Sequence, residues 1–244
     1  MDSAFRPSAF TGAITSLDFS NWIDTDKFTS HNYAFYNLRD TTLLDLTGWD
    51  FSNSINFRAV FAYFGYNNLS SECVLKIPDI TFNASLSSAN IYQLFTGSKC
   101  DTFDVPILNW SNVVATNLNV NSMFYTSRMT KLVGGKKTLD ISTWTGTDKW
   151  SNVNSMFRVM YECQILNITN IDWSNVTTYD FVFRVGTSLE EIVGLNEFTP
   201  AATSASVNEN NYLFYNCQAL KFSGTTNNLD VNFGSTWNNN SNVQ

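Results

Sequence analysis

Hydrophobic and polar positions along this chain fall into two blocks that alternate. The first reads apolar-x-apolar with an aromatic residue three positions later. It appears as Leu17-Asp18-Phe19 with Trp22, Leu44-Asp45-Leu46 with Trp49, Val105-Pro106-Ile107 with Trp110, and Leu139-Asp140-Ile141 with Trp144. A period of two turns the outer residues to one face and the middle residue to the other, which predicts short β-strands. Weaker copies are Ile168 with Trp173 and Val193-Gly194-Leu195 with Phe198, and Leu75-Lys76-Ile77 keeps the strand without the aromatic.

The second block is an apolar-Phe pair followed by another apolar residue. Ala34-Phe35 leads to Leu43, Val60-Phe61 to Leu69, Met123-Phe124 to Leu132 and Met156-Phe157 to Ile165. Val182-Phe183 and Leu213-Phe214 reach Leu189 and Leu220 over shorter gaps. Stretches such as Val153-Asn154-Ser155-Met156-Phe157 place a capping residue before clustered apolar ones, which predicts a short helix or helical turn. Such helices must be brief, because Asn, Ser and Thr form helices poorly.

Two half-motifs in strict alternation define a repeat. A strand of three to five residues cannot bury its apolar face alone, but stacking it on the next turn's strand makes a parallel sheet. The pattern therefore predicts an α/β repeat solenoid, with a parallel sheet on one face and short helices and turns on the other. Residues 1–244 read as one domain of about seven to eight units, starting near 17, 44, 75, 105, 139, 168, 193 and 220. Leu229-Asp230-Val231 competes with Leu220 for the last start. Gly134-Gly135-Lys136-Lys137, the run from Thr199 to Ser206, and Thr225-Thr226-Asn227-Asn228 read as inserted loops. The similarity of both ends to partial units leaves open a segment of a longer array.

These blocks resemble the BspA-like leucine-rich repeats. Leu44-Asp45-Leu46-Thr47-Gly48-Trp49-Asp50-Phe51-Ser52-Asn53, Trp173-Ser174-Asn175-Val176 and Met156-Phe157 with Cys163 and Leu166 match one version of that repeat. Ile77-Pro78 and Leu213-Phe214-Tyr215-Asn216-Cys217-Gln218-Ala219-Leu220 echo the other. The resemblance implies a leucine-rich-repeat solenoid on a cell surface or a phage particle, adhering to proteins or glycans, with no catalytic residues.

Composition narrows the chemistry. Lys and Arg number 14 against 21 Asp and Glu, a net charge of -7, and only 14% of residues are charged. Asn, Ser and Thr make up about a third of the chain. Such a balance gives no electrostatic case for a nucleic-acid partner. No apolar run reaches the roughly 20 residues of a membrane span, and no signal peptide is visible in the first residues. The single histidine, His31, reads as an exposed turn residue, and with it metal sites built on His and Cys lose their ligands. Cys73, Cys100, Cys163 and Cys217 lack any C-x-x-C spacing and read as small buried thiols. Trp22, Trp49, Trp110, Trp144 and Trp173 read as a packed column, while Trp150 and Trp237 lie off its register. No cofactor is implied.

The sequence thus points to a non-catalytic binding or adhesion module, extracellular, at a cell surface or on a virion. Its partner would be a protein or glycan. The alternative is a structural virion or surface-array component that packs on copies of itself. The candidate binding face is the set of strand positions turned away from the core: Asp18, Ser20, Asp45, Thr47, Lys76, Asp140 and Ser142. Stacked aspartates there are candidate Ca²⁺ ligands, but Lys76, Pro106, Thr169 and Gly194 interrupt the ladder, which favours a solvated face.

Overall fold

A computed structural model describes residues 2–5, 14–68, 73–86, 91–201 and 213–220. The chain winds into a parallel β-solenoid of about six turns with almost no helix. Ser16–Asp18, Leu43–Asp45 and Val74–Lys76 form one parallel sheet, with Leu17, Leu44 and Leu75 in register. Lys136–Asp140, Ile165–Asn167 and Glu191–Val193 form a second, aligning Leu139, Leu166 and Ile192.

The strands therefore do not form one continuous sheet through 105–107. That stretch belongs to no strand, and pairing passes to Leu108–Asn109 on Ile80–Thr81 and to Lys99–Cys100 on Arg128–Met129. Pro106 sits in its middle and has no N–H to give a ladder. The two later strands also begin before the expected starts at 168 and 193. Leu166 and Ile192 occupy the position of Leu139, while Trp173 lies two residues beyond the place that Trp144 holds in its own turn. Gly134 and Gly135, both at positive φ, form the tip of a hairpin whose arms, Lys131–Val133 and Lys136–Asp140, pair antiparallel.

The phenylalanine of each turn stacks on that of the next. Phe5, Phe35, Phe61, Phe95, Phe124, Phe157, Phe183 and Phe214 form one column, with ring centroids 5.3–5.9 Å apart and planes within 16° of parallel. The strand spacing of about 4.8 Å sets the rise, and a small lateral slip gives the offset-stacked geometry that aromatic rings prefer. From Phe35 to Phe214 these rings are buried.

No short helix carries this column, contrary to the expectation from Asn and Ser capping. Two consecutive turns carry it instead. The residues two before and two after each phenylalanine are left-handed: Tyr33 and Asn37, Ala59 and Tyr63, Gln93 and Gly97, Ser122 and Thr126, Ser155 and Val159, Phe181 and Val185. The physical reason lies in the hydrogen bonds. A helix would use its N–H groups internally. Here the N–H groups of Tyr33, Phe35 and Asn37 donate to the carbonyls of Arg58, Val60 and Ala62 in the following turn. The same three-bond pattern recurs where Ser122, Phe124 and Thr126 donate to Asn154, Met156 and Arg158.

A second aromatic stack fills the corner between strands and turns. Phe82 lies on Trp110, Trp110 touches Trp144 and Trp150, Trp150 touches Trp173, and Trp173 touches Phe198. Trp150, off the sequence register, is fully buried, because the 3-10 turn Thr147–Lys149 swings it back into the stack. Trp22, expected in the core, is 41% exposed although it stacks on Trp49.

His31 is likewise not an exposed turn residue. It is completely buried among Trp49, Phe51 and Phe57, with Nδ1 2.8 Å from Ser54 Oγ. Burial pushes its imidazole down to about 4. A histidine held neutral in the fold stabilises it fully above the unfolded value near 6.5, and that contribution is lost as the pH falls toward 4. We predict that between pH 7 and pH 4 the wild type loses about 3 kcal/mol more unfolding free energy than a His31→Phe variant. Denaturant titrations at both pH values provide the comparison, and equal losses would refute it.

The left-handed positions generate a second test. Val159 is β-branched at φ 58, whereas the matching position in another turn is Gly97. Left-handed backbone costs a branched residue about 1–2 kcal/mol that glycine does not incur. We predict that Val159→Gly stabilises the fold by about 1 kcal/mol, against the usual loss for such a change. Thermal or denaturant unfolding reads the sign.

Candidate functional site

The strand positions turned away from the core are outward, but they are not free. Asp18 Oδ1 accepts from Ser20 N at 3.0 Å, Asp45 Oδ1 from Thr47 N at 3.0 Å, and Asp140 Oδ1 from Ser142 N at 2.9 Å. The same two-residue turn recurs at Asp50, Asn83, Asn109, Asn119, Asn152, Asn167 and Asp172. Asp and Asn favour this turn because a short side-chain oxygen can close onto the backbone two residues ahead. Seven of these ten residues, all but Asp50, Asn83 and Asp172, are the last residue of a strand, so the turn starts the corner there.

The fold brings Asp18, Asp45 and Lys76 side by side on adjacent strands, with Ser20 and Thr47 at their ends, and places Asp140 and Ser142 in the other sheet. Asp45 is not solvated: only 8% of the residue is exposed. Burial alone would raise its carboxyl. Hydrogen bonds from Lys76 Nζ, 2.7 Å away, and from Thr47 outweigh that and hold it below the ordinary range. Lys76 is raised in turn by Asp45. Asp140 stays exposed and accepts from Asn167 Nδ2 at 3.1 Å.

The opposite arm of each turn shows different chemistry. The side chains beside the buried phenylalanine column point outward from the turns and are rich in tyrosine and arginine. Arg58 lies between the rings of Tyr33 and Tyr92, at 5.2 and 4.5 Å. Arg158 lies between Tyr125 and Phe181, both at 5.3 Å, and Arg184 between Phe181 and Tyr215, both at 5.2 Å. Arg39 and Lys99 both sit over Tyr66, and Tyr36, Tyr63 and Tyr66 contact one another in sequence. Two runs on the wall alternate ring and cation across turns, Tyr33–Arg58–Tyr92 and Tyr125–Arg158–Phe181–Arg184–Tyr215. Guanidinium–aromatic contacts of this kind contribute about 0.5–1 kcal/mol each at exposed sites, and they hold the planar donor edge in a fixed direction.

No family model, curated protein or solved structure matches this chain. The site is therefore read from its own geometry.

That geometry favours the turn wall over the strand face as a surface for recognition. The strand-face carboxylates already hold backbone N–H groups or Lys76, whereas the turn wall presents aromatic and guanidinium groups, the residue types that carry most energy at protein interfaces. Its signal was present in the sequence. The residue after the column phenylalanine is Tyr36, Tyr125, Arg158, Arg184 or Tyr215 in five turns.

Other chemistry-bearing groups are structural. Among the described residues no group of three or more His, Cys, Asp or Glu could hold a metal ion. Cys73, Cys100 and Cys163 are buried free thiols and Cys217 is half-buried. Burial pushes Cys100 up to about 11 and Cys163 up to about 12, which leaves them un-ionised and unreactive. Arg128 is nearly buried between Asp101, at 2.9 Å, and Glu162, at 3.1 Å, and Lys137 also reaches both acids. This four-charge cluster fastens the base of the hairpin to the turns beneath it.

The two roles of Asp45 can be separated. Asparagine fills the same two-residue turn elsewhere in this chain, so Asp45→Asn keeps the turn and loses only the ion pair. We predict that Asp45→Ala costs about 2 kcal/mol and Asp45→Asn about 1 kcal/mol or less. Denaturant unfolding of the two variants ranks them, and equal costs would mean that the turn bond contributes nothing.

Proposed function

We propose that this chain is a non-catalytic binding module that recognises a protein or glycan surface through its turn wall. The observation that carries this reading is the ladder of stacked tyrosine and arginine side chains across successive turns. A solenoid converts a short motif into an extended surface, because each turn adds one copy of whatever its outward positions hold. Stacking fixes the side chains before a partner arrives, which lowers the ordering cost of binding. Tyrosine adds contact area and a hydroxyl with little entropy to lose, as in antibody binding loops.

We further propose that the chain is a divergent leucine-rich-repeat solenoid of the BspA-like kind, working outside the cell, at a cell surface or on a virion. Supporting this are the recurring leucine strand, the Asp or Asn that closes it, and the apolar-Phe block that follows. The parallel register of Leu17, Leu44 and Leu75 is the arrangement such a repeat requires.

The test is direct binding of the labelled protein to an array of immobilised glycans and to intact cells. Saturable binding that is lost in a Tyr33→Ala, Arg58→Ala, Tyr92→Ala triple variant of unchanged thermal stability is the expected result. Saturable binding unaffected by that variant would move the site off this wall. Cleavage of a bound glycan would overturn the non-catalytic assignment.

A further inference from the structure

The cations of this chain differ in what neutralises them. Every described lysine except Lys99, together with Arg128, lies in an ion pair. Among the described residues, Arg39, Arg58, Lys99 and Arg158 have no carboxylate within ion-pairing distance, and all four sit over rings of the turn wall. With 21 acidic residues against 14 basic ones, an unpaired cation is the exception, and here the exceptions share one surface. Three of them belong to one continuous patch. Arg58 lies over Tyr33 and Tyr92. Tyr33 touches Tyr36, Tyr36 touches Tyr63 and Tyr63 touches Tyr66, with ring centroids 5.5–5.8 Å apart. Arg39 lies over Tyr63 at 5.1 Å and over Tyr66 at 4.9 Å, and Lys99 over Tyr66 at 4.3 Å. The patch thus crosses the turns of Phe35, Phe61 and Phe95 without a break.

Its donors suit an anion. Arg39 Nε donates to Asn37 Oδ1 at 2.5 Å. Otherwise the side-chain donors of Arg39, Arg58 and Lys99, and the hydroxyls of Tyr33, Tyr63, Tyr66 and Tyr92, make no hydrogen bond among the described residues. Burial, and then the charge of Arg128, hold the Lys99 ammonium below its ordinary value against the pull of Glu162, whereas Asp45 raises Lys76. Three features select the class of anion. A cation covers a face of Tyr33, Tyr63, Tyr66 and Tyr92, which takes from these rings the platform that stacked bases need. Cations occur in all three turns of the patch, so it lacks the charge-depleted centre of a protein interface. Rings separate the three charges, a sparse pattern that suits isolated carboxylates better than a densely sulfated polymer. A guanidinium fork meets a carboxylate at two points, and the phenol hydroxyls between the cations suit the hydroxyls of a sugar.

We propose that the patch around Arg39, Arg58 and Lys99 binds an acidic polysaccharide whose charge is carried by sugar carboxylates. This inference rests on the turn wall being the binding surface, and it narrows the ligand to one chemistry. Calorimetric titration of the full chain with polygalacturonate, dextran sulfate, neutral dextran, polyglutamate and single-stranded DNA tests it. Polygalacturonate should bind saturably at physiological ionic strength, and more tightly than any other polymer of the panel. Arg39→Gln with Lys99→Gln should weaken that binding about 100-fold, since each lost charge-assisted hydrogen bond costs about tenfold. Lys27→Gln with Lys149→Gln removes the same net charge from ion-paired lysines off the wall, and should bind as the wild type does. Unchanged melting temperatures confirm that both variants are folded.

A wild type that does not bind polygalacturonate overturns the proposal. So does tighter binding of dextran sulfate, polyglutamate or DNA, or an equal loss in the two double variants. Binding to a neutral glycan or to cells that is lost with Tyr33, Arg58 and Tyr92 but kept in the Arg39→Gln, Lys99→Gln variant would sink this inference and leave the binding function standing. Binding that no wall variant changes would sink both.

Discussion

Everything in this molecule depends on the need of each turn to cover the phenylalanine of its neighbour. A single turn offers one ring, one leucine strand and one corner aromatic, and none of these can be buried within the turn itself. Stacked at about 4.8 Å they bury one another. Burying a phenylalanine side chain contributes on the order of 2–3 kcal/mol, and the column from Phe35 to Phe214 is buried throughout. Cooperativity follows. A turn detached from its neighbours loses both faces of its ring and all three of the backbone bonds that flank it.

The same column explains an unusual backbone. Sixteen non-glycine residues among those described have positive φ, including Val159, Val185, Thr126 and Phe181. Such conformations are uncommon for any residue with a Cβ and rarer still for branched or bulky ones. All but Asp24, Glu162 and Asn170 lie two residues from a column phenylalanine, and they persist because left-handed residues on its two sides aim three alternate N–H groups along the solenoid axis. The strain is local and repeats every turn, while the ring stacking and hydrogen bonds that offset it connect turns. A solenoid of this kind is therefore weakest as a single unit and gains with each added turn.

This division also marks what the sequence makes legible. The period-two strands at Leu17, Leu44 and Leu139, and the ring column at Phe35, Phe61, Phe124, Phe157, Phe183 and Phe214, follow from apolar spacing alone. The left-handed backbone of the turn wall does not, because the sign of φ is not encoded in residue type at Tyr33, Ala59 or Val159. Only Asn37, Gly97 and Asn216 hint at it. Register fails where an insertion intervenes: the residues Thr145 to Lys149 displace Trp150 by one corner, and Pro106 hides the passage of pairing to Leu108. His31 misleads for another reason. Its neighbours Ser30 and Asn32 are polar, and only the stacking of distant Phe51 and Phe57 makes its position apolar. On the strand face, the alternation sets Asp45 apart from the leucines on either side of it. It gives no sign that Lys76, one turn on, closes over it.

A solenoid places every outward position next to its own copies, so like charges stack unless something intervenes. Asp18 and Asp45 stand on neighbouring strands, and Lys76 on the third strand, together with the turn bonds to Ser20 and Thr47, keeps both carboxyls ionised. Arg158 and Arg184 occupy successive turns, and the ring of Phe181 lies between them. Two different solutions thus answer one problem of repetition. On the strand face, one lysine beside two aspartates offsets part of the stacked charge. On the turn wall a ring spaces charges of one sign instead. The ring that relieves repulsion between Arg158 and Arg184 also fixes how far apart their guanidinium groups lie.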